Sequence, residues 1–87
     1  MYLHLGQSTV VPEADVIGVF DMDNTTGSHI TRRFLSEAEK AGRVVSVSDE
    51  LPNSFVVCDD NERKIKIYLS QLSTQTLLKR STTMRFD

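Results

Sequence analysis

The segment Lys64-Ile65-Lys66-Ile67-Tyr68-Leu69 alternates residue by residue between polar and aliphatic side chains. A period of two matches the pleat of a β-strand and not the turn of a helix. It predicts a strand with Ile65, Ile67 and Leu69 turned toward a core and Lys64, Lys66 and Tyr68 turned outward. Such a strand is not stable alone and needs further strands or a helix over its apolar face. With 87 residues the chain is one small domain, and a second folding unit does not fit. The cover must therefore come from the rest of the same small domain.

The neighbouring segments supply it. Ser54 to Cys58 is apolar without alternation, the pattern of a strand covered on both faces, and Asp59-Asp60-Asn61-Glu62 turns it toward the alternating strand. Val16-Ile17-Gly18-Val19-Phe20 has the same continuous character and predicts a central, buried strand, with Gly18 marking a bulge or a close backbone approach. Met1 to Leu5 and Thr9 to Val11 read as two short strands joined at Gly6-Gln7-Ser8, with Pro12 ending the second. Val44 to Val47 is a further short strand, followed by a loop at Asp49-Glu50-Leu51-Pro52-Asn53. One long helix lies between: Ile30, Phe34, Leu35, Ala38 and Ala41 form a single stripe at a 3.6-residue period. Ser28 is its expected N-cap and Gly42 its terminator. A brief helix is expected from about Ser73 to Arg80, capped by Ser73 or Thr74. The fold class is α+β: residues 1–80 as a single domain built on a small, mostly antiparallel β-sheet or barrel with one main helix and a short C-terminal helix, and residues 81–87 as a flexible tail.

Composition excludes several kinds of chemistry. Cys58 is the single cysteine, so no internal disulfide forms, and with His4 and His29 as the two histidines no zinc centre can be assembled from cysteine and histidine. Set among Phe55, Val56 and Val57, Cys58 reads as a small buried apolar residue. Neither histidine has a marked partner: His4 reads as a strand-face residue and His29 as a solvated residue of the first helical turn. No glycine-rich phosphate loop occurs. The start of the chain lacks a basic region followed by a long apolar run, and no stretch reaches membrane-span length, so a cytoplasmic protein with no membrane partner and no cofactor is expected.

One segment imitates an enzyme. Val16 to Thr25 is an apolar run ending in D-x-D-x-T, which resembles the first motif of haloacid-dehalogenase-like phosphatases, and Phe55 to Asp60 imitates their second acidic motif. There Asp21 would attack a phosphoryl group and Asp23 would protonate the leaving group beside Mg²⁺. Such an enzyme needs several crossover units of about 30 residues each, and only one long helix separates the two acidic clusters here. A polar loop after a strand accounts for the same residues, and a Mg²⁺-dependent phosphatase is the least favoured reading.

Charge is unevenly spread. The net charge is −2. Residues 1–31 carry four acids and no Lys or Arg, whereas residues 61–87 carry six bases against two acids. This polarity provides either a basic surface or complementary faces in an oligomer.

Several stretches then acquire meaning as an ordered set: Tyr2-Leu3-His4-Leu5-Gly6, Val10-Val11, Val16 to Asp21, Pro52 to Val57, and Ile67 to Ser73 continuing through Thr76-Leu77-Leu78-Lys79-Arg80. In order and spacing they resemble the RemA/RemB extracellular-matrix regulators of Gram-positive bacteria, the RemB branch above all. The resemblance implies a DNA-binding transcriptional regulator of biofilm-matrix genes with a LytTR-like fold, acting as a homo-oligomer of ring form. It also implies departures. Leu51 and Pro52 stand where the RemA branch has an Arg-Arg pair, and Asp15 or its neighbours stand where that branch has an Arg. The candidate nucleic-acid-binding residues are therefore Arg32, Arg33, Arg63, Lys64, Lys66, Lys79 and Arg80. Arg33 with Glu37 and Glu39 with Arg43 are also spaced as i,i+4 ion pairs, and Lys64 and Lys66 as guards of an edge strand. The competing reading is an oligomeric protein-interaction module without DNA affinity.

Overall fold

The computed structural model describes residues 1–22, 29–60 and 64–81. The expected Ser28 cap, Asp23 of the D-x-D-x-T segment, Arg63 and residues 82–87 lie outside the described residues, as does the side chain of His29.

The elements follow the apolar patterning. Strands β1 (Tyr2–Gly6) and β2 (Thr9–Pro12) form an antiparallel hairpin. Its turn needs left-handed backbone at Gly6 (φ 119°) and Gln7 (φ 49°). A short 3₁₀ turn (Glu13–Asp15) leads into β3 (Val16–Asp21). Helix α1 (His29–Lys40) follows. It ends at Gly42 (φ 73°), where the Gly42 and Arg43 N–H groups donate to the carbonyls of Glu39 and Ala38, a Schellman motif that satisfies the helix's last carbonyls. Then come β4 (Val44–Ser46), β5 (Ser54–Asp59) and β6 (Ile65–Ser70). Helix α2 (Thr74–Arg80) closes the chain, with the Ser73 hydroxyl accepting from the Thr76 N–H as the expected N-cap.

Strands β3 to β6 form one sheet in the order β3-β5-β6-β4, antiparallel except for the β4–β6 pair, and β1–β2 form a separate two-stranded sheet. The larger sheet is open and does not close into a barrel, because β3 and β4 are left as edges. It is covered on both faces. On one side the hairpin and α2 bury Leu3, Leu5, Val11, Val47, Val56, Cys58 and Leu77. On the other side α1 covers Phe55, Val57 and Ile67 with Ala38 and Leu35. Central β5 alternates between the two cores, which is why its apolar run is unbroken. The serines sealed in this layer are satisfied: Ser70 Oγ donates to the Leu5 carbonyl at 2.6 Å and Ser54 Oγ to that of Leu72 at 2.8 Å.

Three sequence expectations change. The Val16–Phe20 strand is an edge and not the central strand. A bulge between Val16 and Gly18 makes Ile17 the extra residue and reverses the alternation, so Val16 and Val19 share the hairpin-side core while Phe20 stacks on Phe55 with ring centroids 5.1 Å apart. The bulge reading of Gly18 holds, and what lies close to it is the Phe20 ring, 2.8 Å from where a Cβ would stand, not another backbone. Tyr68 does not face solvent: it packs against the hairpin-side core, because the second face of β6 is covered. The strand order sets β6 between β5 and β4, but β4 pairs only with Ile67 to Leu69, so the Lys64 to Lys66 end borders β5 alone and the edge-guard reading of these two lysines keeps its basis. Finally, the helix stripe is only partly used. Ala38 is buried and Leu35 half-buried, whereas Ile30 is 80% exposed and Phe34 and Ala41 are also exposed.

Candidate nucleic-acid interface

The cationic candidates fall in two layers of the fold. Arg32 and Arg33 are exposed on α1, on one side of the sheet. Lys79 and Arg80 are exposed at the end of α2, on the opposite side. Lys66 shares the face of Tyr68 by alternation and so belongs to the side of α2. Among the described residues these cations do not converge on a single patch.

Their surroundings differ in charge. Arg33 Nε donates to Glu37 Oε1 at 3.3 Å, with the two side chains 75% and 65% exposed. Such a pair adds about 0.3–0.5 kcal/mol to helix stability and cancels a charge. Glu39 and Arg43 form no such pair. Lys64 and Lys66 line a small cleft with Asp15, Asp60, Cys58 and Tyr68, where the Lys64 N–H donates to Asp60 Oδ1 at 3.1 Å. Burial pushes the Cys58 thiol up to about 11, with the Asp15 charge adding to it, so Cys58 is an inert core residue as its neighbours implied. Tyr68 is likewise raised, by burial first and then by Cys58, Asp15 and Asp60.

At the end of α2 the setting is different. Arg80 Nη1 donates to His4 Nδ1 at 3.2 Å, and His4 Nε2–H donates to the Gln7 carbonyl at 2.8 Å. Among the described residues no carboxylate forms an ion pair with Lys79 or Arg80. Local sequence marks no partner for His4 and carries no signal of one, because 76 positions separate it from Arg80.

The acidic clusters do not meet. Asp21 pairs with Ser54 at one end of β5, and Asp59 ends the same strand, roughly 16 Å away at the usual rise per residue. The two motifs that imitate a phosphatase thus point to opposite ends of the sheet. Among the described residues no group of three or more His, Cys, Asp or Glu is placed to hold a metal ion, and no helix is long and apolar enough to cross a membrane.

An apolar surface lies elsewhere. Ile17, Phe20, Ile30, Phe34, Phe55 and Val57 line an open groove of about 420 Å³ between β3 and α1. Apolar patterning alone assigns these residues to the core.

Comparison with known proteins adds two findings. Residues 2–80 match the profile of the RemA-like family, described as extracellular matrix regulatory protein A-like. The chain is also 38% identical over 84 residues to extracellular matrix regulatory protein B of Bacillus subtilis (strain 168), an alignment that covers 97% of this chain and 94% of that protein.

Proposed function

The chain belongs to the RemA-like family of extracellular matrix regulatory proteins, and from that premise we propose that it is a DNA-binding transcriptional regulator of matrix genes that works as a homo-oligomer. The family match over residues 2–80 carries this reading. The physical case is one of multiplicity. A protomer with net charge −2 and cations divided between two layers binds a polyanion weakly. Several copies repeat each phosphate contact and multiply the avidity. The groove between β3 and α1 supports oligomerisation, since contiguous exposed apolar surface marks association sites. A LytTR-like arrangement is the fold expectation that accompanies this reading.

The test is a fluorescence-anisotropy titration of labelled duplex at about 50 and about 200 mM salt, the range over which phosphate contacts weaken sharply. Binding at the lower salt that falls steeply at the higher one is expected. Absence of binding at the lower salt overturns the reading. The groove also favours a second reading, a protein-interaction module without DNA affinity. Its outcome is self-association by sedimentation with no duplex binding in the same titration.

A further inference from the structure

We infer that the corner formed by the β1–β2 turn and the last turn of α2 is a phosphate-contact site for a nucleic-acid backbone, with Arg80 as the contacting cation and His4 as its positioning residue. The inference rests on the DNA-binding reading and deepens it.

The argument starts from hydrogen-bonding capacity. A carbonyl only accepts and a guanidinium only donates. The contact to the Gln7 carbonyl therefore places the His4 proton on Nε2, and the contact from Arg80 requires a bare Nδ1. In this geometry His4 is the neutral imidazole. It orients Arg80 without cancelling its charge, which a carboxylate in the same place would do. Arg33 shows the contrast: it is oriented too, but by Glu37. The Lys64 and Lys66 cleft contains Asp15 and Asp60. The Arg80 corner is thus where, among the described residues, a cation is held in place and left uncompensated.

Fixing an arginine in advance lowers the side-chain entropy lost on binding. One of its five N–H donors is spent on His4, and the rest can meet phosphate oxygens, two at a time where the approach allows. Lys79 adds a point charge beside it. The left-handed Gln7 aims the carbonyl that anchors the imidazole, so the hairpin turn also belongs to the site.

The experiment is a salt series of duplex binding by anisotropy for the full chain and for Arg80→Ala, His4→Ala, His4→Gln and the Arg80→Ala/His4→Ala double variant. Both positions are exposed, and thermal melting checks that each variant is folded. Arg80→Ala is expected to lower affinity at every sequence and to reduce the salt slope by about 1 for each copy that contacts the duplex. His4→Ala should lower affinity by a smaller factor, His4→Gln (which keeps one donor and one acceptor) should recover part of it, and the double variant should match Arg80→Ala alone. Unchanged salt slope in Arg80→Ala, or additive losses in the double variant, overturns the site while leaving DNA binding standing. If the parent chain binds no duplex, the site falls together with the proposed function.

Discussion

Cys58 shows how a single residue's chemistry is set by its layer. Its thiol is pushed up to about 11 by burial between β5 and the hairpin, helped by the Asp15 charge. The sign of the consequence is definite. The folded state keeps the proton at pH values where the unfolded chain has begun to lose it, so this contribution is fully present below the unfolded thiol's pKa near 8.5–9. It is lost as pH rises toward 11. Denaturant melts across pH 8 to 11 should therefore show stability falling with pH, and Cys58→Ala should flatten the lower part of that decline. Tyr68, raised in the same direction, keeps a residual slope at the upper end. A Cys58→Ala profile parallel to that of the parent chain would contradict the assignment. His4 is the opposite case, an exposed side chain whose role comes from a residue at the far end of the chain.

At the scale of elements, the boundaries are where local sequence spoke most directly. Gly42 ends α1 and Ser73 starts α2 as expected, because caps depend on backbone groups within a few residues. The two left-handed glycines nevertheless differ. A methyl group added at Gly42 would meet open space, whereas a Cβ at Gly6 would lie 2.8 Å from the Gln71 amide, on a φ of 119° outside the ordinary left-handed well. Gly42→Ala should cost about 1 kcal/mol, and Gly6→Ala should cost more, up to about 3 kcal/mol, as read from urea midpoints. Equal losses at the two positions would sink this distinction. Alternation in β6 was also legible, but its meaning was only half so. Period two separates the faces of a strand and does not say whether the second face is wet, and here the hairpin covers it. The run in β3 misled for a related reason: an unbroken apolar stretch reads as a central strand, and a bulge on an edge strand beside a groove produces the same letters.

For the molecule as a whole, the first and last thirds of the chain meet in space. The acidic N-terminal third contributes the hairpin, the basic C-terminal third contributes α2, and the two pack in one layer, joined by the His4–Arg80 contact. The uncovered α1 face bears on assembly. In sedimentation the parent chain is expected above its 9.8 kDa monomer mass at tens of micromolar. Ile30→Glu, at a position 80% exposed and so not needed for folding, should shift it toward the monomer. A parent chain that already sediments as a monomer removes the oligomer from the proposal.

What the amino-acid order determined alone was local: the α+β class, the strands read at 54–58 and 64–69 and found at 54–59 and 65–70, the stop at Gly42, the cap at Ser73 and the buried character of Cys58. Each depends on neighbours within a turn or a pleat. The family likeness was legible as well, through an ordered set of short segments. Tertiary structure alone decided which strand became the sheet edge, that the sheet stayed open, that the helix stripe was left half uncovered, and that His4 meets Arg80. Those outcomes depend on contacts between residues tens of positions apart, and no local period or spacing encodes which distant segment will arrive to cover, pair or neutralise a given side chain.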